Sequence, residues 1–139
     1  MRTRRSLLYY KTGNNFLKKK DFVSAVESYK DAVLIDPSYF KAYCNLGVAY
    51  KNLGLYKEAE ESLEKALKIK PHSAVIYNNL GNVATAKGDF AQARLFYQKA
   101  IAIYPQYKKA HYNLGQVLYF SGDHKTALEA RIKLEKLSY

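Results

Sequence analysis

Residues 40–73, FKAYCNLGVAYKNLGLYKEAEESLEKALKIKPHS, decide how this chain is read, because the rest of the sequence varies on that one unit. Gly13, Gly47, Gly81 and Gly115 recur every 34 residues, and Ala25, Ala59, Ala93 and Ala127 keep the same interval. So do Pro37, Pro71 and Pro105. Three residue types holding one period through the chain describe stacked supersecondary units, each too small to bury its apolar face alone.

Within residues 40–73 the apolar spacing is helical. Tyr43, Leu46, Gly47 and Tyr50 fall at i, i+3, i+4 and i+7 of a first helix, and Ala59, Leu63, Ala66 and Leu67 form the stripe of a second. Gly54 lies where a positive φ ends the first helix at little cost, and Pro71 stops the second. Small Gly47 and Ala59 let the two helices approach closely, and Ala66 gives room for the next unit.

The order Tyr43, Leu46-Gly47, Tyr50, Ala59, Leu63, Ala66, Pro71 resembles the tetratricopeptide repeat pattern. The other copies are residues 6–39, 74–107 and 108–139, so the resemblance covers nearly the whole chain. It implies an all-α, right-handed solenoid of four helix-turn-helix repeats, about eight antiparallel helices. Residues 1–5 are set apart as a basic tail, and residues 6–139 form one domain. Departures occur at Thr12, Ala84 and His111, and Arg131 and Leu134 replace the usual Tyr and Ala of the last copy. Such changes suit a terminal repeat facing solvent.

In chain order, the first helix is expected over residues 6–19 and the next through Ile35, with Asp21 as its N-cap. Pairs then follow at residues 74–87 and 90–104, and at 108–121 and 124–137, joined at Gly88-Asp89 and Gly122-Asp123. Connections this short leave no room for a linker. Leu134 and Leu137 fall on the last helix with no further repeat to cover them.

On a first helix, repeat positions 4, 7, 8 and 11 form the packing stripe, and positions 2, 6, 9 and 13 lie nearly opposite. In the resembled family that opposite stripe lines a concave groove. The residues expected there are Lys11, Asn14, Lys41, Asn45, Asn79, Asn82, Lys109, Tyr112, Asn113 and Gln116. Asn45, Asn79 and Asn113 share one phase, and a primary amide can donate to and accept from an extended peptide backbone. This series resembles the asparagine ladder of the repeat region of O-linked GlcNAc transferase. The carboxylate clamp of chaperone-tail-binding relatives is not reproduced. Asn14 and Asn45 match it, but Tyr10, Val75 and Asn79 stand at its three cation positions.

The chain carries a net charge of +11, and seven of its cations, with no acid, fall in the first twenty residues. Lys11, Lys18, Lys41, Lys51 and Lys109 edge the expected groove, so the expected partner is another protein presenting an extended, acidic segment. The basic start is expected to be a solvated, partly disordered run. Self-association through the ends of the stack is the second reading. The third is binding of nucleic acid, by the basic start together with Tyr9 and Tyr10, or of an anionic membrane surface by that start.

Chemistry has little footing in the sequence. His72, His111 and His124 lie apart without a partnered Cys or Ser signature, and Cys44 is the lone cysteine. The recurring glycines are packing glycines, not a phosphate loop. The expectation is therefore no enzyme, no metal and no cofactor. No apolar run has the length of a signal peptide or a membrane span, and Met1 is read as a natural start of a cytoplasmic protein.

Overall fold

The computed structural model describes residues 3–137, so the part of the expected tail at Met1 and Arg2, and the last two residues of the fourth repeat, lie outside it. Among the described residues there are eight α-helices and no strand. They are α1 (Arg4–Lys18), α2 (Phe22–Ile35), α3 (Phe40–Asn52), α4 (Tyr56–Ile69), α5 (Ala74–Lys87), α6 (Phe90–Ile103), α7 (Lys108–Phe120) and α8 (His124–Leu137). The chain divides after Pro71 into two compact units, one holding α1–α4 and the other α5–α8. Each unit is two helix-turn-helix repeats, and the fold class is all-α as expected.

The first helix begins two residues before the expected residue 6. α1 starts at Arg4, with the Thr3 hydroxyl oxygen accepting from the Ser6 amide, so Arg4 and Arg5 belong to the first turn. Ser6 returns the bond by donating its hydroxyl to the Thr3 carbonyl. A Ser/Thr cap ahead of a helical run overrides the bare charge pattern. Aspartate caps open the second helices at Asp21, Asp89 and Asp123, which accept from the amides of Ser24, Gln92 and Thr126.

The turns within repeats reuse one backbone device. Gly54, Gly88 and Gly122 have φ of 77°, 82° and 89°. At the matching place in the first repeat stands Lys20, at φ 61°. This left-handed conformation costs a residue with a Cβ about 1–2 kcal/mol.

Packing inside each hairpin rests on a small residue facing a large one. A Cβ on Gly13 would come within 2.6 Å of the Tyr29 ring, and one on Gly47 within 2.7 Å of Leu63 Cγ. Gly81 meets Tyr97 in the same manner. In the first unit Tyr29, Tyr39, Ala32, Ala42, Leu46 and Ala49 form one buried cluster. In the second, Tyr97 packs with Ala84, Ala93 and Val117.

The fourth repeat breaks this rule. Arg131 occupies the register of Tyr29, Leu63 and Tyr97, but it is exposed and pairs with Glu135 at 3.5 Å. Nothing therefore presses on Gly115, whose added Cβ would find Ala130 at 3.8 Å. A hollow of about 700 Å³ opens there, lined by Gly115, Gln116, Tyr119, Leu128, Arg131 and Leu134 among others. Leu134 and Leu137 are both half-buried.

Candidate peptide-binding faces

The first helices of the two units divide the expected site. α1 and α3 carry Lys11, Asn14, Lys41 and Asn45, while α5 and α7 carry Asn79, Asn82, Lys109, Tyr112, Asn113 and Gln116. Lys11, Lys41, Lys109, Tyr112 and Gln116 are exposed, and the five asparagines are half-buried. Positions 2 and 13 are exposed in every repeat, from Leu7 and Lys18 to Lys109 and Phe120. Within the units, Asn14 and Asn45, and Asn82 and Asn113, instead sit where one first helix meets the next.

Two asparagines of the expected ladder serve that meeting. Asn45 Nδ2 donates to Asn14 Oδ1 at 2.9 Å and reaches Tyr10 OH at 3.5 Å. The same Asn14 oxygen accepts from Tyr29 OH at 2.6 Å. Sixty-eight residues on, the arrangement returns: Asn113 Nδ2 donates to Asn82 Oδ1 at 3.2 Å, and Tyr97 OH donates to that oxygen at 2.6 Å. Asn78 Oδ1 accepts a further bond from Asn113 at 3.1 Å. Each joint thus ties both helices of one hairpin to the first helix of the next. Asn45 and Asn113 thus have their Nδ2 groups engaged within the chain.

Asn79 differs. No side-chain hydrogen bond of Asn79 is found among the described residues. Its amide keeps both donor and acceptor capacity. At the corresponding places in the fourth repeat, Gln116 Nε2 donates to Tyr112 OH at 2.9 Å on the exposed face.

Tyr29 and Tyr97 are joint members that a single-helix reading does not find. Burial pushes both phenols above the ordinary tyrosine value, and a side-chain hydrogen bond to each acts in the opposite sense. Their signal in the sequence is recurrence every second repeat: Asn14 with Asn82, Tyr29 with Tyr97, and Asn45 with Asn113. In the second repeat the same registers hold the apolar Val48 and Leu63.

Charge segregates between helices more sharply than composition implies. The first helices carry Arg4, Arg5, Lys11, Lys18, Lys41, Lys51, Lys87, Lys108 and Lys109, and none of the twelve acidic residues. Every Asp and Glu lies on a second helix or in a turn. Lys51 is half-buried, and its desolvation lowers the ammonium below the usual lysine value.

The remaining sequence candidates are placed as follows. Tyr10 lies against Tyr29 and Tyr39, with ring centroids 6.1 and 4.8 Å away, so it is not presented for stacking on a ligand. His111 is buried with Nε2 at 2.7 Å from the Pro105 carbonyl oxygen, and His124 touches Tyr119 edge-on. Cys44 is buried, and desolvation pushes its thiol up to about 12. No group of three or more metal-ligating side chains occurs among the described residues. No helix of the described residues is long and apolar enough to cross a membrane.

Comparison with known proteins agrees with the repeat architecture. A tetratricopeptide repeat family model matches residues 38–106, a TPR repeat model matches 13–54, and a further tetratricopeptide repeat model matches 84–130. The human small glutamine-rich tetratricopeptide repeat-containing protein beta is 38% identical over 47 residues. That stretch is 34% of this chain but only 16% of the human protein. The crystal structure of MamA protein is similar at 31% identity, with 96% of this chain and 73% of that one covered and a TM-score of 0.79. Pseudomonas aeruginosa pilF matches at 25% identity over 98% of this chain and 62% of its own, with a TM-score of 0.87. The first TPR of Spaghetti (RPAP3), solved with HSP90 peptide SRMEEVD, has 20% identity, 82% and 90% coverage and a TM-score of 0.76, and so informs the fold alone. With its four 34-residue units, three family models that together reach from residue 13 to 130 and the MamA structure at 31% identity, the chain belongs to the tetratricopeptide repeat family.

Proposed function

We propose that this chain is a non-enzymatic protein-interaction module that takes an extended, acidic peptide segment on the faces of its first helices. The observation that carries the reading is the complete absence of carboxylates from α1, α3, α5 and α7, against nine cations there. A field of one sign lining a surface draws the opposite charge and speeds encounter. Asn79 supplies the backbone-reading amide, able to pair with a peptide C=O and N–H together. Asn14 with Asn45, and Asn82 with Asn113, brace each unit from within, and Asn45 and Asn113 add acceptor oxygens. Lys11 and Lys41 flank one face, Lys109 the other, with Tyr112 and Gln116 beside it. A few hydrogen bonds and exposed ion pairs amount to an affinity of about micromolar, suited to an adaptor. The proposed setting is the cytoplasm.

Selection from a random twelve-residue peptide library tests this. Sequences enriched in Asp and Glu that are lost from a Lys41→Glu/Lys109→Glu variant bear the proposal out. Enrichment of neutral or basic sequences removes it.

The hollow on α7 and α8 favours a second reading, self-association through that open face. Sedimentation showing one monomer mass across a hundredfold range of concentration excludes it.

A further inference from the structure

We propose that the outer face of α1 docks on an anionic lipid bilayer. Arg4, Leu8, Lys11, Asn15 and Lys18 are spaced i, i+4, i+7, i+11 and i+14, which places them on one stripe of the helix about 21 Å long. All five are exposed, with Leu8 62% accessible and the adjoining Leu7 38%. The opposite side of α1, carrying Tyr9, Tyr10, Gly13, Phe16 and Leu17, faces the core of its unit. No acid occurs before Asp21, whose carboxylate caps α2.

The register of this stripe identifies what it is not. In α3 and α7 the same repeat positions are Ala42, Asn45 and Ala49, and Ala110, Asn113 and Val117, and their apolar members are buried against the preceding repeat. Close helix packing there needs those small side chains and the amide. Leu8, Lys11 and Asn15 replace them with bulk and charge, which hold another helix away. A fluid surface that need not interdigitate fits instead.

Long cations contact lipid phosphate and carboxylate while exposed leucines enter the headgroup boundary, the pattern of an interfacial helix. A nucleic acid gives the leucines no role, and Tyr10 is enclosed by Tyr29 and Tyr39 where it would be needed to stack.

The test is vesicle flotation with 30% phosphatidylserine in phosphatidylcholine, beside pure phosphatidylcholine, at 50 mM and 500 mM salt. Binding is expected only with phosphatidylserine and at low salt. Arg4→Glu/Lys18→Glu should weaken it by at least about twentyfold, since a basic residue near such a surface is worth roughly fivefold. Leu7→Ser/Leu8→Ser should also weaken it, while leaving binding to duplex DNA of equal charge concentration unchanged. Circular dichroism confirms helicity, and Arg4→Gln/Lys18→Gln stands in should the charge reversal unfold the chain. Absence of binding to the phosphatidylserine vesicles overturns the proposal. So does binding indifferent to both leucines, which would mark a general polyanion contact.

Discussion

Asn45 and Asn14, 31 residues apart, are joined amide to amide at 2.9 Å, and Tyr29 closes on the same Asn14 oxygen from the neighbouring helix. This one atom is the meeting point of α1, α2 and α3. Asn82 holds the same office for α5, α6 and α7, through Asn113 and Tyr97. What a helical wheel places on a ligand-facing stripe is therefore, at two of three rungs, the fastening between repeats.

The joint predicts coupled losses of stability. Asn113→Ala removes a half-buried donor and should cost about 1–2 kcal/mol in urea unfolding, and Tyr97→Phe a similar amount. Because both act on Asn82 Oδ1, the double variant should depart from additivity by at least about 0.5 kcal/mol. Simple additivity would show that the shared oxygen does not couple them.

Two glycines on the same repeat position should respond oppositely to one methyl group. Gly81→Ala drives a Cβ into the Tyr97 ring, and overpacking of this kind costs about 1–3 kcal/mol. Gly115→Ala meets no atom nearer than 3.8 Å, so the helix propensity of alanine should give a gain of about 0.5–1 kcal/mol. Melting temperatures moving in the same direction would refute the role assigned to Arg131.

Lys20 sits at φ 61° where the other three repeats use glycine. Lys20→Gly should raise stability by about 0.5–1 kcal/mol, the relief of the left-handed strain less the added freedom of the unfolded chain. A fall in the urea midpoint would count against strain at this turn.

Stability should decline in alkali. The fold keeps the Tyr29 and Tyr97 phenols neutral beyond the ordinary value of 10.0, at which the unfolded chain ionises them. Cys44 behaves alike between 9.0 and about 12. Their contribution is intact below the unfolded values and is lost as pH climbs toward the folded ones. Urea midpoints should hold between pH 7 and 8.5, fall from about pH 9 upward, and fall less steeply in Tyr29→Phe. A flat profile to pH 11 would contradict it.

The period of 34 residues made the helices, the Asp21 cap and the glycine turns legible, because each depends on a few adjacent residues. The start of α1 was displaced because a single threonine cap outweighs a run of basic charge. The fate of Asn45 and Asn113 was hidden for a different reason. The phase of a residue on its own helix says which way it points, and the oxygen waiting on the preceding repeat is set by a residue 31 positions earlier. Comparing alternate repeats, where Asn14, Tyr29 and Asn45 return together as Asn82, Tyr97 and Asn113, exposes that partner. The hollow beside Gly115 was legible only in part, since Arg131 announces a lost tyrosine but not the space left behind.

The division of labour between asparagines is tested most directly on Asn79→Ala, using an acidic peptide from the library selection. Affinity by calorimetry and melting temperature should be recorded on the same sample. Affinity should fall about tenfold, the value of one or two hydrogen bonds, while the melting temperature stays within about 2 °C of the parent. Unchanged affinity, or a loss of stability matching that of Asn113→Ala, would contradict the account.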